Sequence, residues 1–157
     1  MKLNYYFIKS LIDRVKERQS TEEILASFSH LDEQTSFILI SELLDRSDSL
    51  VRRSGLSLLK QLNWNRDNLI AFMNMGLTLK HPSEIRYWYE AIAPQLGLAN
   101  ILDLLETYIK IEPEIVSRAW YYLDLMIKSN SVDLVPRLKI IQSKFREINE
   151  REVFAIN

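Results

Sequence analysis

Apolar residues recur three and four positions apart along almost the whole chain, and strict alternation of apolar and polar residues is hard to find. That spacing is one face of a 3.6-residue helix, so the pattern predicts an all-α protein. Nine helices follow from it. The first runs from about Asn4 to Arg18, with Tyr5, Ile8, Leu11, Ile12 and Val15 on one stripe. The second is short, from Thr21 to Ser29, and the third spans about Glu33 to Arg46. The fourth opens at Ser49, the fifth covers about Asp67 to Leu79, and the sixth starts near Ser83. The seventh follows Gly97, the eighth begins near Pro113, and the ninth runs from about Val132 to Glu147. The closing "EREVFAIN" has no clear pattern and reads as a tail.

Local signals set the boundaries. Ser20 with Glu23 three residues on is a capping-box pair. Asp32 precedes the third helix, and Asp48 or Ser49 can cap the fourth. Pro82 stops one helix before another begins, Gly97 suits a helix C-terminus, and Pro113 occupies a first turn, where its missing N–H costs nothing. All connections are short, which makes successive helices antiparallel neighbours.

Three stretches share one rhythm: "SLVRRSGLSLLKQLNW", "SEIRYWYEAIAPQLG" and "EIVSRAWYYLDLMIK". Aligned on Val51, Ile85 and Val116, they carry Gly55, Tyr89 and Trp120 four residues on. Seven on come Leu58, Ile92 and Leu123, and eleven on come Leu62, Leu96 and Ile127. The anchors are spaced 34 and 31 residues apart. The preceding helices keep register, with Leu43, Leu77 and Tyr108 eight residues before each anchor and Leu39, Met73 and Leu104 twelve before. The repeating unit is therefore a helix pair, which cannot cover its own apolar face and must stack on its neighbours.

These second helices resemble the B helices of HEAT-like repeats. That pattern places an Asp or Pro in the turn, then a β-branched aliphatic, a basic residue, small residues and leucines. "DSLVRRSGLSLLKQL" matches best. "HPSEIRYWYEAIAPQLG" keeps Pro82, Ile85 and Arg86 but puts Trp88 and Tyr89 where small residues are preferred. "EPEIVSRAWYYLDLMIK" keeps Pro113, Val116, Arg118 and Ala119. The resemblance implies a short right-handed α-solenoid. In it, 1–157 is one helical-repeat domain: 1–31 would be capping helices, 32–128 the HEAT-like pairs and 132–149 a C-terminal capping helix.

Composition narrows the function. The 157 residues include only 3 Gly and 4 Pro, too few for a turn-rich β-fold. The net charge is -1, without the basic excess that phosphate neutralisation requires, so nucleic acid is not the expected partner. Cysteine is absent, which removes disulfides, thiolate metal sites and a thiol nucleophile. The N-terminal residues lack an apolar signal-peptide core, and no run approaches the roughly 18 to 20 apolar residues of a membrane span. A cytoplasmic protein that does not enter a membrane is expected.

Catalytic chemistry finds little to stand on. His30 and His81 lie in inter-helix turns, without the paired spacing of a helical zinc site. Gly55, Gly76 and Gly97 stand alone, so no glycine-rich loop cradles a phosphate. Carboxylates gather at helix starts, where the helix dipole favours them. No enzyme activity, metal or cofactor is expected. DNA glycosylase-like members of the HEAT-like group carry aromatics and an acidic residue on their concave face. This chain has "YWYE" and "WYY" there but looks shorter and lacks a basic excess.

The second helix of each HEAT-like pair lines the concave side. Positions between the core offsets then face outward: Arg52, Arg53, Arg86, Tyr87, Glu90, Arg118, Tyr121 and Tyr122. Arg and Tyr are enriched at interface hot spots. The expected function is a non-catalytic scaffold or adaptor binding another protein, through an acidic segment of that partner. Two further readings are an immunity or inhibitor protein that blocks an enzyme, and a HEAT-like nucleic-acid-binding protein. Trp88 and Trp120 are expected in the core, and Trp64 is a candidate exposed anchor.

Overall fold

The computed structural model describes the backbone of residues 5–78 and 82–155 and the side chains of 6–78 and 83–148. Among the described residues there are nine α-helices and no strand, as the apolar spacing predicts. They form two compact units, Met1–Leu69 and Ile70–Asn157.

The first unit holds α1 (Tyr5–Lys16), α2 (Thr21–Leu25, continued by a 3-10 turn Ala26–Phe28), α3 (Glu33–Leu44), α4 (Ser49–Gln61) and the start of α5 (Arg66–Thr78). The capping box at Ser20 forms: its Oγ accepts from Glu23 N at 3.2 Å, and the Glu23 carboxylate accepts from Ser20 N at 3.2 Å. Asp32 Oδ1 accepts from Thr35 N at 2.7 Å, and Asp48, not Ser49, caps α4 through Leu50 N at 2.9 Å. α3 packs on α4, α1 lies against both, and α2 lies against α4. Leu11, Val15, Ile24, Phe28, Leu39, Leu43, Val51 and Leu58 fill the core between them. Gly55 sits in this seam, where a Cβ would lie 3.1 Å from Leu44 Cδ2 and 3.2 Å from Leu43 Cβ.

α1 stops short of the expected Arg18. Arg18 has φ 60, its N–H donates to Val15 O, and Gln19 N–H donates to Arg14 O. This pair of bonds is the Schellman motif, with an arginine where glycine is usual. Arg14 then ties α1 to α2, donating to Ser27 Oγ at 2.6 Å and Glu23 O at 2.9 Å. Trp64 is buried rather than an exposed anchor, because its Nε1 donates to Leu59 O at 2.9 Å while the ring completes the core. Asn65 Oδ1 accepts from Asn68 N at 2.9 Å and caps α5. Glu33 holds that turn by accepting from Asn65 N at 2.7 Å and Asn68 Nδ2 at 2.8 Å.

The second unit holds the rest of α5, a 3-10 turn Pro82–Glu84, α6 (Ile85–Leu96), α7 (Leu98–Ile111), α8 (Pro113–Asn130), a 3-10 turn Val132–Leu134 and α9 (Val135–Ala155). The predicted ends of α5 at Leu79 and the turn residue His81 lie outside the described residues. Gly97, at φ 85, both ends α6 and opens α7. α9 continues through "EREVFA", which read as a tail; Glu150, Arg151 and Ala155 favour helix, and no glycine or proline stops it.

α6 packs on α7 and α8, α7 packs on α8 and α9, and α8 packs on α9. The anchor rhythm coincides with burial: Ile85, Tyr89, Ile92 and Leu96 on α6, and Val116, Leu123 and Ile127 on α8. Trp88 is buried, whereas Trp120 is only half-buried. Tyr89 is enclosed, donates its hydroxyl to Ala119 O at 2.9 Å, and has its pKa pushed up by burial, so it remains a donor. On α7 the predicted core residues Leu104 and Tyr108 are only half-buried. Ile101, Leu102, Leu105 and Ile109 take the interior instead, because α7 must cover both α8 and α9. Tyr108 turns its hydroxyl to Asn74 Oδ1 at 3.1 Å.

Candidate functional site

The expected outward positions divide. Arg52 is buried, at 3% exposure. Its Nη1 donates to Arg46 O at 2.6 Å and Ser47 O at 2.7 Å. Those are carbonyls just past the C-terminus of α3, where acceptors lack helical partners. The side chain stitches the α3–α4 turn, which corrects its expected place on an outward ridge. Arg53, the next residue, is exposed on the first unit.

In the second unit, Arg86, Glu90 and Tyr122 line one groove between α6 and α8. Arg86, Tyr87 and Glu90 stand on the exposed side of α6, and Arg118 and Tyr121 are exposed on α8 beside half-buried Tyr122. Arg86 Nε meets Glu90 Oε1 at 2.7 Å, an i, i+4 pair. The hydrogen bond to Glu90 raises the Arg86 pKa further. Tyr121 and Tyr122 meet edge to face, with ring centroids 5.2 Å apart.

Between α6 and α8 lies a groove of about 220 Å³, with Arg86 and Glu90 on one wall and Tyr122, Leu125, Met126, Ser129 and Asn130 along the other. Tyr121 is 66% exposed, Leu125 46% and Tyr87 39%. The outward ridge expected from the sequence ends at Tyr122, so it misses Leu125, Met126 and Ser129. The signal was present: Arg118, Tyr121, Tyr122, Leu125 and Ser129 follow i, i+3, i+4, i+7, i+11, a second helical stripe opposite the core one.

A larger cavity of about 550 Å³ opens between α7 and α9, over Ile109 and Ile148. Asp103, Glu106 and Lys144 of its lining are held in ion pairs. Arg137 pairs with Asp103 and lies 3.7 Å from Glu106, and Lys144 pairs with Glu106. The Lys144 hydrogen bond, helped by Arg137, holds the Glu106 carboxyl below its ordinary range. This network fastens α9 to α7, while Lys110 and Glu147, which also line the cavity, take no part in it. Among the described residues, no group of three His, Cys, Asp or Glu is placed to hold a metal ion, and no helix is long and apolar enough to cross a membrane. His30 is exposed in its turn.

No known protein family, curated protein or solved structure matches the chain.

Proposed function

We propose that the chain is a non-catalytic protein-binding module, a scaffold or adaptor that docks one partner protein on the outward face of α6 and α8. The observation that carries this reading is the run of exposed aromatic and apolar side chains there. Tyr87, Tyr121 and Leu125 project beside a groove, on helices whose opposite faces already fill the core. Exposed apolar side chains grouped beside a groove are what interaction sites present, and Tyr and Arg around an apolar centre are the composition of an interface. The recurrence of the anchor positions Val51, Ile85 and Val116 in buried sites supports a HEAT-like repeat scaffold as the frame for that face.

The test is co-purification from the native lysate with the tagged chain and with a Tyr121→Ala, Leu125→Ala variant. Both side chains stand outside the core, so the fold should persist, which circular dichroism checks. A single stoichiometric protein retained by the wild type and lost by the variant is the expected result. Recovery of nucleic acid alone, or of the same protein by both chains, would remove this face as the docking site.

A further inference from the structure

The binding reading leaves open what the α6–α8 face fits. Its charges narrow the answer. On α8, Val116, Ala119, Leu123 and Ile127 form the core stripe. At 100° per residue, Arg118, Tyr121 and Leu125 fall on the opposite side. Two of the three cations on this face are already neutralised: Arg86 meets Glu90 at 2.7 Å, and Lys128 meets Asp124 at 2.6 Å. Arg118 is different. Its one polar contact is a 3.4 Å approach of Nε to Glu114 O, and among the described residues no carboxylate pairs with it. An exposed guanidinium therefore stands one turn from the apolar stripe, with its fork of donors directed to no anion.

The shape of the face selects the form of the partner. Among the described residues there is no strand, so no sheet edge is available for an added strand. Tyr121 and Tyr122 are inclined at 79° and do not make the parallel aromatic walls that grip a polyproline segment. Two packed helices with a groove between them accept the ridge of a third helix. From Tyr122 to Asn130 the groove runs about 12 Å along α8, roughly two helical turns.

Resting on the protein-binding reading above, we infer that the α6–α8 groove takes an amphipathic helix of a partner protein. Its apolar stripe packs on Tyr122, Leu125 and Met126 in the groove, with exposed Tyr121 at its edge, and an Asp or Glu beside that stripe pairs with Arg118. The carboxylate sets orientation and discriminates among helices, while the apolar contacts supply most of the affinity.

The test uses the full chain and a displayed library of helical peptides of about 18 residues, with leucines at i, i+3, i+4 and i+7 and randomised flanking positions. Selection on the wild type should enrich Asp or Glu at one flanking position. Affinity of the enriched peptides should fall roughly tenfold for Arg118→Glu, and a Lys at the enriched position should restore it. Enriched peptides that need Tyr121 and Leu125 but ignore Arg118→Glu would overturn the acidic helix and leave the protein-binding reading standing. Failure to enrich any peptide that depends on Tyr121 and Leu125 would overturn the helix-in-groove inference outright. The co-purification experiment reads the wider proposal separately, because it needs neither a helix nor an acid in the partner.

Discussion

Gly76 on α5 lies under the indole of Trp88 on α6, and a Cβ on Gly76 would fall 2.5 Å from Trp88 Cδ2. Real Cβ contacts are not that short, so the absence of a side chain at 76 is what lets the buried ring come this close to the helix. Gly76→Ala should therefore destabilise the protein by about 1–3 kcal/mol through overpacking, despite the higher helix propensity of alanine. Urea titration measures this. The penalty should shrink when Trp88→Leu is introduced in both backgrounds, and an unchanged penalty would mean that the ring is not the obstacle.

Arg18 holds a left-handed conformation that costs a non-glycine residue about 1–2 kcal/mol. Arg18→Gly should raise stability by somewhat less, about 0.5–1 kcal/mol, because glycine gains freedom in the unfolded chain. The thermal midpoint of the variant should rise. A lower midpoint would show that the exposed arginine makes a contact worth more than the strain.

Arg52 and Arg53 are neighbours with opposite roles. Arg52→Met removes two hydrogen bonds from a buried cation to main-chain carbonyls and should cost about 2 kcal/mol. Arg53→Met, at an exposed site, should stay within about 0.5 kcal/mol of the wild type. Equal effects in chemical denaturation would contradict the division of these two arginines.

Acid should loosen both units through particular carboxylates. Glu33 is held below its ordinary value of 4.5 by the N–H groups of Asn65 and Asn68, and Glu106 by Lys144 and Arg137. A carboxyl whose folded pKa is depressed contributes its stability fully above the unfolded value and loses it as pH falls through the folded one. Melting temperature should thus hold from pH 7 to about pH 5 and drop below that. The drop should be shallower in a Glu33→Gln, Glu106→Gln variant, which starts lower at pH 7. Parallel curves for the two proteins would assign acid lability to other groups.

Much of this fold was legible because the deciding signals are local. Ser20, Asp32 and Asp48 cap helices through N–H groups two or three residues away, and Gly97 and Pro113 act on their own backbone. The anchor rhythm on α6 and α8 was legible for the same reason, since one face of a helix must be buried whatever covers it. What escaped depends on neighbours. The interior of α7 shifts to Leu105 and Ile109 because α9 packs there, and no periodicity within α7 announces a distant helix. Arg52 and Arg53 look alike in "LVRRSG", and only the position of the α3–α4 turn decides which is buried. The outward stripe of α8 was half legible: Arg118, Tyr121 and Tyr122 stood out by residue type, while Leu125 and Met126 resembled further core.

The central claim is that the outward face of α6 and α8 meets a protein. Photocrosslinking tests it most directly, with a benzophenone amino acid replacing Tyr121 on that face or Ile140 on α9, both exposed. In native lysate, the probe at 121 should yield one discrete protein adduct that the probe at 140 does not. The same adduct from both positions, or none from 121, would contradict the account.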